Sequence, residues 1–181
     1  MSRKTIIEAF SQKVISGGMN TAPDIRMMLF ALAMSIYAQD ILELGYDAGF
    51  TTEVLAMTGV RVVGVDNNAE YPGIKRAAQR RLAKYKNCTL ITREALDFLE
   101  ASADDSYDLV FVDDWHDPTH VAQEVEQLRR IVRAGGIAVF HDTMWDKRLG
   151  YIVKAGLPDW EILHLPAWGE TREGVIMDFG I

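Results

Sequence analysis

The sequence predicts a doubly wound α/β domain whose mostly parallel, seven-stranded sheet ends in a C-terminal antiparallel β-hairpin. Three observations lead there. Short apolar runs of strand length recur at 40–45, 61–66, 88–92, 107–113 and 136–141, continuous rather than alternating, as in strands covered on both faces. Longer segments with helical spacing separate them, at 51–57, 72–85, 95–101 and 118–132, which makes a βαβαβαβαβ order. The length of 181 residues suits one domain with one core, since domains run to roughly 150 residues.

The flanking elements follow from local signals. Residues 4–16 and 24–37 read as two helices divided by the Gly17-Gly18 breaker. A helix at 146–154 is stopped by Gly156 and Pro158. Residues 160–165 and 174–179 read as edge strands joined by the polar turn 168–173. The single domain 1–181 thus divides into N-terminal helices (1–38), a core (39–143) and a closing helix and hairpin (144–181).

Composition narrows the function. A net charge of −7 argues against nucleic acid as a partner. The one basic run, Lys75, Arg76, Arg80, Arg81, Lys84 and Lys86, lies opposite the apolar Ile74, Ala77, Ala78 and Leu82 and reads as a solvated helix face. Cys88 is the only cysteine, which excludes an intrachain disulfide and a cysteine metal cage. The N-terminus lacks an apolar run of signal-peptide length, and the uncharged stretch 27–38 is only 12 residues long against the ~20 that cross a bilayer. A cytoplasmic protein without a membrane partner is expected.

Open α/β sheets bind ligands at the carboxyl ends of their strands, where strand order reverses. The turn after the first strand, E-L-G-Y-D-A-G-F, puts Gly45 and Gly49 where a ligand must approach closely. A dinucleotide fingerprint would need glycines at 45, 47 and 50, but Asp47 and Phe50 stand there. Asp47 would also oppose a pyrophosphate, whereas a sulfonium or ammonium ligand without phosphate tolerates it. S-adenosylmethionine is such a ligand. Asp66 follows Gly45 by 21 residues, the separation at which a carboxylate meets ribose hydroxyls; capping the next helix is its competing role.

These motifs, with D-L-V-F-V-D-D-W-H-D at 108–117, resemble those of class I S-adenosylmethionine-dependent methyltransferases, closest to the catechol O-methyltransferase-like small-molecule group, over about 19–143. The resemblance implies a Rossmann-like methyltransferase fold and methyl transfer to a hydroxyl of a small-molecule acceptor. It places Met19 over the cofactor, has Glu43 orient the methionine part, Asp66 hold the ribose and Glu94, Ala95 and Trp115 border the adenine, and counts Gly45, Tyr46, Asp47, Gly49, Asn67 and Asp113 among the cofactor-binding residues. It also implies a divalent cation, Mg2+, on Asp113 and Asp142. Adjacent parallel strands lie about 4.8 Å apart, so two strand-end carboxylates there can converge on one hard cation.

Two positions depart from that family. Thr143 stands where its third metal ligand is an amide, and His116 where its catalytic lysine lies. An imidazole that titrates near neutral pH can accept a hydroxyl proton, so His116 is the candidate base and Asp113 its catalytic neighbour. His141 can turn to either face, and His120 completes the histidine group. Trp145 and Trp168 either clamp an acceptor or cover the core. Short loops leave the cleft open, or completed by a second copy in a homodimer. Binding of S-adenosylmethionine without turnover, and nicotinamide-dependent oxidation, are the alternative functions.

Overall fold

The computed structural model describes residues 21–68, 73–143, 146–167 and 177–180. The expected helix at 4–16, Met19, Trp145, Trp168 and the turn 168–173 lie outside them. The elements are α1 (Pro23–Ser35), β1 (Asp40–Leu44), α2 (Phe50–Ala56), β2 (Arg61–Asp66), α3 (Ile74–Leu82), β3 (Cys88–Thr92), α4 (Ala95–Ala101), β4 (Tyr107–Val112), α5 (Pro118–Ile131), β5 (Val132–Phe140), α6 (Lys147–Gly156), β6 (His164–Ala167) and β7 (Met177–Gly180). Both α1 and α5 begin with proline, whose missing N–H costs nothing in a first turn. No helix among the described residues is long and apolar enough to cross a membrane.

β1 to β5 form a parallel sheet in the order β3-β2-β1-β4-β5. The order reverses between β1 and β4, which locates the ligand crevice at their carboxyl ends. β6 and β7 pair antiparallel at the edge, where Phe140 and Gly180 register β7 against β5. β6 starts later than expected, at 164 rather than 160, while 174–176 of the second expected strand lie outside the described residues. One reason is local: the Trp160 N–H donates to the Leu157 carbonyl at 3.1 Å, closing a turn where a strand was expected. β5 in turn starts earlier, at Val132, directly after α5. Tyr107 pairs with Val132 but Leu109 with Ile137, so Gly135-Gly136 lies in a bulge rather than at a strand start.

Alternate strand residues feed two cores, as the pleat requires. Leu42, Leu44, Val63, Val65, Val110, Val112 and Phe140 pack with α4, α5 and α6, while Ile41, Val62, Leu109, Phe111 and Val139 pack with α1 and α2. The basic run on α3 is not wholly solvated. Arg81 stacks on the Phe50 ring at 3.5 Å and donates to the Ala48 carbonyl at 3.1 Å. Arg81 and Lys84 together neutralise buried Glu53, at 3.1 and 2.8 Å. Those contacts brace α2 behind the first turn.

At that turn Gly45 has φ +83° and donates its N–H to the Val65 carbonyl at 2.8 Å. A Cβ there would lie 2.1 Å from the Asp113 carbonyl oxygen, so the absence of a side chain lets the β1 turn rest on the end of β4. Gly59 has a similar φ, +86°, with nothing within 4 Å of a built Cβ. Gly59→Ala should therefore cost only left-handed strain, about 1–3 kcal/mol. Gly45→Ala should cost clearly more in the same urea titration; equal losses would show that the Asp113 contact yields without cost.

Candidate functional site

The site assembles at the carboxyl ends of the parallel strands. Glu43, near the end of β1, is 1% exposed, and its Oε2 has no hydrogen-bond partner. Burial pushes its carboxyl up to about 8; the Thr52 hydroxyl pulls the other way, and the charges of Asp113, Asp66 and Asp47 add to the rise. Tyr46 is buried, and its hydroxyl donates to Asn68 Oδ1 at 2.8 Å.

Asp66 does not cap the following helix, whose N-cap is Gly73. Its Oδ2 accepts the Asp47 N–H at 2.9 Å, and its Oδ1 accepts the Asn68 N–H at 2.6 Å and the Asn68 side-chain amide at 2.8 Å. The carboxylate thus holds Asp47 in its left-handed conformation, φ 40°, and ties the β1 and β2 turns together. The Asn67 amide donates to both oxygens of Glu94, at 3.1 and 3.2 Å, bridging the ends of β2 and β3. Glu94 occupies the N-cap position of α4, which Ala95 begins.

Across the switch point, the Thr21 hydroxyl donates to Asp113 Oδ2 at 2.8 Å. His141 Nδ1 lies 3.0 Å from Asp113 Oδ1 and 3.2 Å from Asp142 Oδ2, while His116 Nε2 is 3.9 Å from the same Asp142 oxygen. One ligand atom from each of Asp113, His116, His141 and Asp142 falls within 4.8 Å of the others, the spacing of a cation site. Burial disfavours a charged His141, but Asp113 and Asp142 outweigh it and raise the imidazole to about 10. Burial likewise opposes the ionised Asp142, and His141 and His116 still hold its carboxyl below the usual range.

Of the expected residues, Asp113, His116 and Asp142 come together. The structure adds His141 and Thr21, which sequence reasoning left open or missed. Strand parity gives the signal for His141, because residues 109 and 111 of β4 and 139 of β5 share a core with α1, and continued alternation carries 113 and 141 to that face. The His141 ring stands edge-on to Phe111, with centroids 6.1 Å apart. No local signal marks Thr21. Trp115, at 63% exposure, is not a core tryptophan; it lines a cleft with His116, His141 and Thr143. On the other side of β4, Asp114 and Glu124 raise His120 to about 10.

A family profile described as a methyltransferase domain matches residues 42–143. A protein of Mycobacterium sp. (strain KMS) named "Putative O-methyltransferase" is 31% identical over 168 residues, covering 90% of this chain and 74% of that protein. A "Probable caffeoyl-CoA O-methyltransferase" of Arabidopsis thaliana is 27% identical over 157 residues, covering 80% of this chain and 65% of its own length. The crystal structure of the O-methyltransferase from Bacillus cereus, in complex with SAH, superposes with a TM-score of 0.74 at 18% identity, covering 98% of this chain and 87% of that one. That likeness shows the Rossmann-like α/β fold.

Glu43 makes stability depend on pH. Between about 4.5 and about 8 the folded chain keeps a proton on Glu43 that the unfolded chain has released, so rising pH favours unfolding through this window. His141 acts in the same direction, its contribution being lost as pH rises toward about 10. Glu43→Gln removes the first effect alone. Its stability relative to wild type should grow with pH across the Glu43 window, by at most about 1.4 kcal/mol per pH unit. Parallel stability curves in denaturant titrations would show that Glu43 ionises normally.

Proposed function

This chain belongs to the methyltransferase-domain family, and on that premise we propose that it transfers a methyl group from S-adenosylmethionine to a hydroxyl oxygen of a small molecule. One observation carries the proposal: Gly45 rests on the Asp113 carbonyl, so the turn suited to a sulfonium ligand adjoins the Asp113–His116–His141–Asp142 group. The residues fit the cofactor. Glu43 offers a buried, unbonded Oε2 at the foot of the turn, an acceptor for an ammonium group.

S-adenosylmethionine, when bound, supplies a sulfonium methyl as electrophile. The chain's residues do the rest. Glu43, Gly45, Tyr46, Asp47 and Gly49 hold the methionine part, with Met19 as its cover. Asp66 and Asn67 hold the ribose, whose hydroxyls add to or displace the Asn68 contacts on Asp66. Glu94, Ala95 and the open face of Trp115 border the adenine. His116 Nε2 has no hydrogen-bond partner; it takes the proton of the acceptor hydroxyl, and Asp142 at 3.9 Å steadies the imidazolium that results. Asp113 keeps the acceptor side anionic.

Asp113 and Asp142, with His141 as a further ligand, would hold a divalent cation that acidifies the hydroxyl. Imidazole beside carboxylate suits Mn2+ or Zn2+ better than the Mg2+ of the sequence-based expectation. The protonated His141 lies between the same two carboxylates, so cation and proton compete for that place. α6 and the β6–β7 pair form the acceptor side, completing the seven-stranded sheet; a second copy closing the cleft and a cytoplasmic location belong to the same proposal.

Calorimetry with S-adenosylmethionine, S-adenosylhomocysteine and NAD should show binding of the first two alone, and a panel of hydroxylated acceptors should give turnover. Binding without turnover on any acceptor would support a silent binding protein, and binding of NAD alone an oxidoreductase. Asp66→Ala should weaken S-adenosylmethionine by about 1.5–3 kcal/mol. His116→Ala should lose about 10²- to 10⁴-fold in rate with cofactor affinity unchanged; a fully active His116→Ala enzyme would remove this residue from the mechanism.

A further inference from the structure

Asp113 and Asp114 are consecutive just past the end of β4, yet their side chains meet different elements. Asp113 meets Thr21 and His141, whereas Asp114 meets α5. There His120 Nε2 lies 3.1 Å from Asp114 Oδ2 and 3.4 Å from Glu124 Oε1. His120 and Glu124 are four residues apart, so one face of α5 presents both. One ligand atom from each of the three residues falls within 4.8 Å of the other two.

Glu124 is 0% exposed, and neither of its carboxylate oxygens has a hydrogen-bond partner. Asp114 Oδ1 is buried and unpartnered as well. Around them the helix packs Val121, Val125 and Leu128 into the core. A buried carboxylate ordinarily collects several N–H donors, because leaving it bare is costly. Here a single imidazole is shared between two carboxylates, hydrogen-bonded to Asp114 and only ion-paired with Glu124 Oε1, and Glu124 Oε2 and Asp114 Oδ1 are left over.

We propose that Asp114, His120 and Glu124 form a second divalent-cation site, separate from the Asp113–Asp142 group and of the class that accepts imidazole together with carboxylate, Zn2+ foremost. Two carboxylates and a neutral imidazole carry a charge of −2, which a divalent cation balances, and its ligand bonds would use the bare Glu124 and Asp114 oxygens. The site does not depend on the methyltransferase reading. Its consequence is positional. Asp117 already caps α5 by accepting the N–H groups of Thr119 and His120, at 2.9 and 3.1 Å. A cation on Asp114 would fasten the other end of the same loop, which carries Trp115 and His116.

The test uses the whole chain, stripped of metal with a chelator and titrated with Zn2+ by calorimetry. A Co2+ titration followed by visible absorption reports the ligand set. Wild type and Asp142→Asn should both take up a Zn2+ ion, and that ion should raise the melting temperature of both. Glu124→Gln and His120→Gln should lose that ion, or bind it at least about 10-fold more weakly, and show no thermal shift. Glu124→Gln keeps the shape of the side chain while removing a buried charge; should it fail to fold by circular dichroism, His120→Gln and Asp114→Asn give the same reading. Wild-type stoichiometry and affinity in the folded variants would overturn the proposal. Loss of all Zn2+ binding in folded Asp142→Asn would also overturn it, by assigning the ion to the other group.

Discussion

Carboxylates crowd one end of this sheet, and the local structure there follows from how each is neutralised. Glu43 keeps a proton because burial disfavours its charge and its Oε2 has no hydrogen-bond partner. Asp66 gathers three N–H groups from its own and the neighbouring turn. Asp113 takes a hydroxyl from Thr21 and shares His141 with Asp142. Asp114 shares His120 with Glu124. Every one of these arrangements leaves an exchangeable proton or an open acceptor beside the switch point, which is where a reactive ligand can use it.

The amino-terminal end of the same sheet is organised differently. Asp40 and Asp108, at the starts of β1 and β4, are held by Arg61 and Arg133. Partial burial opposes their ionisation, but Arg61 and Arg133 keep the Asp40 carboxyl below its usual range, and the Gln39 and Asp40 N–H groups with Arg133 do the same for Asp108. Guanidinium stays protonated at any accessible pH and donates in a fixed fork, so such pairs pin strands together. Imidazole can gain and lose its proton. The distribution of the two cations along the strands therefore separates a structural end from a chemical end.

The parallel sheet itself was legible in the chain. The run 62–65 is continuous rather than alternating because both faces of β2 are covered, and β2 and β3 occupy just the expected residues 61–66 and 88–92, although β3, at the sheet edge, is only half-buried. The Gly45 turn and the acidic strand ends were legible for the same reason, since turn chemistry and strand-end position are local properties. Strand limits at β5 and β6 were less so. There the glycine bulge and the Leu157–Trp160 turn interrupt the periodicity on which such a reading depends.

By itself, then, the sequence determined the order of the elements, the place of the crevice and the carboxylates that line it, because these follow from the pattern of neighbouring residues. Only the tertiary structure decided which side chains meet. Thr21 reaches Asp113 across 92 positions, Arg81 leaves solvent to stack on Phe50, and His141 turns toward Asp113 while Asp114 turns toward His120. For the residues that continue β4 and β5, the physical reason is the pleat. Side chains alternate between faces with every residue, so a residue's partners depend on register against strands and helices far along the chain.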